Sequence, residues 1–110
     1  MILALLNYKE KIMDLKKANN ILINRYLDML NKNNISNDIY DMLIILKKNI
    51  ESFPDDKTSR WIGYIQYFII NEGLSTVLEE RNFSRPYFHK VYKNMGIDIP
   101  ESISISREEK

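Results

Sequence analysis

Cationic and aromatic residues at helical spacing dominate the second half of this chain. Arg85 and His89 are four residues apart, which places them in one stripe of a predicted helix. Arg81 ends the helix before it, and Arg60 heads an earlier helix with Tyr64 one turn on. Arginine binds phosphate or carboxylate at two points, and aromatic rings stack on bases. If these helices pack side by side, the five residues form a pocket for a nucleotide-like anion.

Ion pairing within the fold is the alternative for the same arginines. Arg60 and Arg85 lie close in sequence to acidic residues, among them Asp56, Glu79 and Glu80. The histidine would then be an ordinary surface residue. Gly63 favours a contact surface, because glycine inside a helix costs up to about 1 kcal/mol and usually persists where a ligand or another helix approaches the backbone.

The composition argues against catalysis and metal binding. One His and no Cys rule out the ligand spacings of zinc sites, and no Ser lies in a glycine-flanked elbow. The three glycines are isolated, so no phosphate-binding glycine loop is present. A net charge of +1 provides no general attraction to nucleic acid or to an anionic membrane. We expect a binding protein with no metal, no cofactor and no enzymatic activity.

The first half predicts two long helices. Apolar residues recur at helical spacing over 2–31 with no Pro or Gly, and again over 37–53 after an Asn-rich turn. Pro54 disfavours extension of the second helix past Phe53. The sequence therefore predicts an all-α fold in which a long N-terminal helix forms an antiparallel hairpin with the second helix. The opening residues match neither a signal peptide nor a membrane span.

The first helix also carries a heptad pattern. Leu5, Ile12, Asn19 and Tyr26 occupy one seam position, and a single Asn in such a seam fixes register and partner number in coiled coils. This pattern predicts a homo-oligomer held by Leu5, Ile12 and Asn19. The alternative is an amphipathic helix that packs on its own domain.

The second half predicts two or three shorter helices. One helix should run from 56 or 58 to Gly73, a short one should follow the capping box Thr76 to Glu79, and one should restart at Ser84-Arg85-Pro86 and end at Gly96. We expect a single domain over residues 1–97, made of a hairpin at 1–53 and the motif-bearing helices at 54–97. An extended tail should follow at 98–110.

Several short motifs in this half occur together. They read RWIGYIQ from Arg60 to Gln66, Glu80-Arg81-Asn82, Ser84-Arg85-Pro86 and Phe88-His89. The set resembles small, mostly uncharacterised bacteriophage proteins with the pattern RW[IL]G[FY]xQ, ER and [ST]RPxFH, over residues 57–96. Many of those proteins have Gly after the Gln, where this chain has Tyr67. The resemblance implies a phage origin and an accessory role in the host bacterial cytoplasm, with no known activity attached.

These observations lead to two functional hypotheses. The first is a viral anti-defence protein that sequesters a nucleotide-derived signal molecule in the pocket formed by Arg60, Tyr64, Arg81, Arg85 and His89. The second is an inhibitor or adaptor that docks on a host protein through its helical surface.

Overall fold

Four α-helices make up the computed structural model, which describes residues 13–97. They are α1 (Leu15–Lys32), α2 (Asp38–Lys48), α3 (Asp55–Asn71) and α4 (Val77–Asn94), and no strand occurs in this range. The predicted all-α fold is confirmed, and the antiparallel hairpin stays a prediction. Residues 1–12 of the predicted first helix and the predicted tail, 98–110, lie outside the described residues.

Side-chain caps begin three of the helices. The Asp14 carboxylate accepts from the Lys17 amide at 2.7 Å, and the Thr76 hydroxyl accepts from the Glu79 amide at 3.1 Å. The Asn37 side chain caps α2 by accepting from two backbone amides. Each cap satisfies N–H groups that a helix start leaves without partners. The predicted cap at Thr76 is confirmed.

Left-handed residues end three of the helices. Asn34, Gly73 and Gly96 have φ of 57°, 75° and 76°. At the end of α3, the Gly73 amide donates to the Ile70 carbonyl and the Leu74 amide donates to the Ile69 carbonyl, both at 3.0 Å. This is the paired pattern of a Schellman motif. The predicted helix ends at Gly73 and Gly96 are confirmed.

The predicted break before Pro86 is wrong, because α4 runs without interruption through it. Proline has a helix-compatible φ and removes only the hydrogen bond to the carbonyl four residues earlier, that of Asn82. Pro86 and Asn82 are both exposed. Glu80 and Val91 are buried on either side of the proline, which holds both halves of the helix against the same core.

Helix α2 is shorter than predicted and ends at Lys48. The Asn49 side chain donates to the Ile45 carbonyl at 2.8 Å, which closes the last turn. The amides of Ser52 and Phe53 then donate to the Asn49 carbonyl in a tight turn. Local competition from Asn therefore ends the helix before Pro54 does.

Helix α1 is the centre of the fold and packs against each of the other three, while α2 also packs on α3. Its buried side chains meet those of α2 and α3 in one apolar cluster. The cluster consists of Leu22, Ile23, Tyr26, Leu27, Leu30, Ile39, Leu43, Leu46, Ile62, Ile65 and Ile69. Helices α3 and α4 both contact α1 but do not pack closely against each other.

The described half of the heptad seam faces this core. Asn19 and Leu22 are 2% exposed and Tyr26 is fully buried within the single chain. Asn19 is therefore covered almost entirely by its own domain in this conformation, and its predicted place in an oligomer seam stays a prediction. This half of the helix packs on its own domain, as the alternative interpretation expected. Leu5 and Ile12 lie outside the described residues, so association through them stays a prediction.

Two glycines allow a matched test of these backbone assignments. Within residues 13–97, a Cβ at Gly63 would meet no atom within 4 Å, so Gly63→Ala should raise the free energy of unfolding by about 0.5–1 kcal/mol. Gly73→Ala should lower it by about 1 kcal/mol, because φ is +75° there. Urea denaturation of both variants measures the two signs. Destabilisation by Gly63→Ala would contradict the open environment described for this position.

Candidate functional site

A buried carboxylate joins three parts of the fold. Glu80 on α4 is 4% exposed and pairs with Arg25 on α1, whose Nη2 donates to Oε2 at 2.9 Å and whose Nε donates to Oε1 at 3.3 Å. The Tyr26 hydroxyl donates to Oε1 and the Ser75 hydroxyl donates to Oε2, each at 2.5 Å. A buried charge needs this degree of compensation, so the cluster fixes where α4 lies on α1.

The cluster extends to α3 through Gln66. Its side-chain amide donates to the Tyr26 hydroxyl at 2.8 Å. Arg25 also lies over the ring of Phe83, with its guanidinium carbon 4.0 Å from the ring centre. We call Arg25, Tyr26, Gln66, Ser75 and Glu80 the Glu80 cluster.

The environment keeps both acidic groups of the Glu80 cluster in defined protonation states. Burial by itself raises the pKa of Glu80, but hydrogen bonds from Arg25, Ser75 and Tyr26 outweigh it, and the pKa lies below its usual value. Burial, reinforced by the hydrogen bond to Glu80, raises the pKa of Tyr26. Glu80 is therefore ionised at neutral pH and the Tyr26 hydroxyl keeps its proton.

Beside this cluster, a groove of about 430 Å³ lies between α1, α3 and α4. The groove has an apolar floor with a few polar side chains. Its lining consists of Leu15, Asn19 and Leu22 from α1, Ser59, Ile62, Gly63 and Gln66 from α3, and Ser84, Phe88, Val91, Tyr92 and Met95 from the α4 side. Gln66 belongs both to the groove wall and to the Glu80 cluster.

Two features of the groove favour an added molecule over further packing. Gly63 is exposed in the wall, and the described chain has no atom within 4 Å of the position its Cβ would occupy. Asn19 is 2% exposed at the floor, and its side-chain Nδ2 has no hydrogen-bond partner among residues 13–97. The sequence prediction that something approaches Gly63 therefore finds open space there in the single chain.

Arg60 and Tyr64, both predicted to bind the ligand, lie on the outer side of α3. Arg60 donates to Asp56 at 2.9 Å, and both side chains are well exposed at 69% and 75%. Tyr64 is 55% exposed, and neither residue lines the groove. The ion-pair alternative holds for Arg60, although an exposed pair of this kind contributes little stability.

The remaining predicted ligand residues, Arg81, Arg85 and His89, are half-buried on α4. Both arginine side chains interact with other groups of the fold. His89 lies on the side of α4 away from buried Val91, since two residues correspond to about 200° on a helix. None of the three lines the groove. Convergence of all five residues on one pocket stays a prediction.

Helical spacing nevertheless brings the two arginines into line with the groove. Arg81, Arg85, Phe88 and Tyr92 are separated by four, three and four residues, so they form one stripe along α4. Phe88 and Tyr92 line the groove. The stripe therefore places two arginines on the same side of α4 as two residues of the groove lining, although neither arginine lines the groove itself.

Sequence reasoning missed most of the groove and all of the Glu80 cluster as a unit. The heptad pattern assigns Asn19 to an oligomer seam, and the structure places it in the lining of the groove. Glu80 is named in the sequence only as an acidic neighbour of the arginines and within a motif, and its pairing with Arg25 is not predicted. The Glu79 carboxylate lies 3.1 Å from the Ser75 hydroxyl, which donates its proton to Glu80.

Over residues 13–97, the structure is an all-helical arrangement with a groove between three helices. None of the helices described between residues 13 and 97 has the length and apolar character needed to span a membrane. Comparison of the chain with protein-family models, with curated proteins and with solved structures finds no match in any of the three.

Removal of the buried charge tests the structural role of the Glu80 cluster. Glu80→Gln should lower the free energy of unfolding by about 2–4 kcal/mol. Arg25 loses its ionic partner, and the NH₂ group of the new glutamine cannot accept the hydrogen bonds that a carboxylate oxygen accepts. Glu79→Gln, an exposed neighbour in the same helical turn, should cost below about 1 kcal/mol. Urea denaturation at pH 7 compares the two, and equal losses would contradict the assigned role of Glu80.

The lowered pKa of Glu80 also predicts a pH dependence. A depressed pKa in the folded state means that the unfolded chain takes up this proton first as the pH falls. The stabilisation from Glu80 should be complete well above the usual pKa of 4.5 and should decline below it. Between about pH 5 and pH 3, Glu80→Gln should therefore lose less stability than the wild type. Parallel acid profiles would show that Glu80 does not titrate as described.

Proposed function

We propose that this protein binds a small nucleotide-like anion in the groove between α1, α3 and α4. The observation that supports this proposal best is the α4 stripe, in which Arg81 and Arg85 continue the line of Phe88 and Tyr92. In this stripe, two arginines lie on the same side of α4 as two aromatic residues of the groove lining. That combination suits a molecule with a charged end and a planar end.

The size and polarity of the groove fit such a ligand. A volume of about 430 Å³ falls in the range of small-molecule sites, roughly 300–1,000 Å³. Phe88 and Tyr92 offer ring faces, and Ser59 and Ser84 offer hydroxyl groups. This is the mainly apolar lining with a few polar groups that ligand sites generally have.

The charge balance around α4 favours an anion. Glu80 is paired with Arg25, and this ion pair reduces the electrostatic repulsion between Glu80 and a negatively charged ligand near the same helix. Arg81 and Arg85 are held by the fold, and each guanidinium carries five N–H donors, so an interaction within the chain leaves others for a phosphate. Arginines positioned in advance lose less side-chain entropy when a ligand binds.

In this proposal the protein sequesters its ligand without transforming it. The resemblance to small phage proteins implies an accessory role, and we propose that this role is anti-defence, in which a nucleotide-derived signal is removed from the host cytoplasm. Arg81 and Arg85 are the cationic contacts, while Arg60, Tyr64 and His89 lie outside the lining of the groove.

Isothermal titration calorimetry against linear and cyclic nucleotides tests the proposal. We expect at least one nucleotide to bind below the millimolar range. Arg85→Ala should weaken that binding about tenfold or more, as loss of a charge-assisted contact does. Lys90→Ala is the matched control, because Lys90 is an exposed cation on the opposite side of the same helix from the stripe. Absence of heat with every nucleotide would refute the proposal.

A steric variant tests the location of binding. Gly63→Leu should fill the open wall of the groove and abolish binding, while the free energy of unfolding stays equal to or above that of the wild type. Gly63→Ala serves as its control, since a methyl group occupies much less of the cavity. Undiminished nucleotide binding by Gly63→Leu would place the ligand elsewhere.

The outer face of α3 supports a second candidate function, docking on a host protein. Tyr64 and Tyr67 are 55% and 69% exposed and lie three residues apart, beside Arg60 and Asn71. Tyrosine and arginine are enriched at protein interfaces. Tyr67→Ser should abolish capture of a host partner in this case, whereas Arg85→Ala should leave capture intact. The reverse result would favour the groove.

A further inference from the structure

The groove floor carries a polar group whose burial the fold itself does not compensate. We infer that the Asn19 side-chain amide recognises a hydrogen-bond acceptor on a planar heterocyclic ring that enters the groove. This inference rests on the proposed function in its choice of groove and names the chemistry of the ligand's uncharged end. The next paragraphs give the observations behind it.

Burial without a partner is the first observation. Asn19 is 2% exposed, and its Nδ2 has no acceptor within the described part of the chain. An amide donor left in this state costs on the order of a lost hydrogen bond, and buried side-chain polar atoms usually have a partner. Leucine at this position would extend the apolar floor formed by Leu15 and Leu22 without such a cost.

The surroundings of Asn19 select the shape of the ligand. Gly63 leaves an open stretch in the lining of the groove, and Phe88 and Tyr92 contribute aromatic side chains to the same lining. A flat ring fits between a wall without a side chain and aromatic side chains better than a branched group does. Rotation about χ2 of Asn is soft, so the amide can turn toward an acceptor on that ring.

The other polar side chain near the floor is already committed. Gln66 donates through its amide to the Tyr26 hydroxyl at 2.8 Å, and that hydroxyl donates to Glu80. This bond fixes the orientation of the Gln66 amide, and the Gln66 carbonyl oxygen does not accept from Asn19 Nδ2. Asn19 Nδ2 is therefore a donor that a ligand can engage.

Two neutral fragments isolate this interaction from the charge of a nucleotide. Benzimidazole and indole have nearly the same shape, but benzimidazole carries a ring nitrogen acceptor that indole lacks. We expect benzimidazole to bind the wild-type protein about threefold to tenfold more tightly than indole, the ratio that one hydrogen bond provides. The titrations are followed by ¹⁵N NMR at about pH 8, where both fragments are neutral. Benzimidazole should shift the resonance of the Asn19 side-chain amide.

The variant Asn19→Leu should bind both fragments equally, and Gly63→Leu should bind neither. Equal affinity of the two fragments for the wild type, or an unmoved Asn19 resonance, would overturn the inference, and neither readout requires a variant that folds. Nucleotide binding through Arg85 with no fragment preference would sink this inference but leave the proposed function standing. Preference for benzimidazole without any nucleotide binding would support the proposed role of Asn19 and refute the binding of a nucleotide-like anion.

Discussion

The buried charge of Glu80 is the constraint on which the arrangement of the helices depends. A carboxylate that is 4% exposed is stable only where donors surround it, and here they come from α1 and from the turn before α4. The Tyr26 hydroxyl also accepts a hydrogen bond from Gln66, which connects the cluster to α3. Because hydrogen bonds are directional, this cluster specifies one placement of α4, whereas apolar packing alone tolerates several.

The groove follows from that placement. Helix α4 is held to α1 at Glu80 and Val91, and α3 is held to α1 by Ile62, Ile65 and Ile69, but α3 and α4 do not pack closely on each other. The space between them has a wall without a side chain at Gly63. A cavity of about 430 Å³ in so small a protein reduces the burial available for stability, which is consistent with a site maintained for binding.

Electrostatics and hydrophobic packing are separated along α4. The side toward α1 carries Glu80, whose charge Arg25 compensates. Arg81 and Arg85 share a stripe of α4 with Phe88 and Tyr92, and the two aromatic residues line the groove. The Glu80 cluster keeps the Glu80 carboxylate bonded to groups of α1 and of the turn before α4.

The amino-acid sequence by itself determined the helical class, the cap at Thr76 and the helix ends at Gly73 and Gly96, because these depend on backbone geometry and on residues a few positions apart. Only the tertiary structure decided that α4 passes through Pro86, that Asn19 faces its own domain, and that Glu80 meets Arg25. Those outcomes depend on contacts between residues distant in the chain, such as Arg25 and Glu80, and local periodicity carries no information about which buried polar groups will find each other.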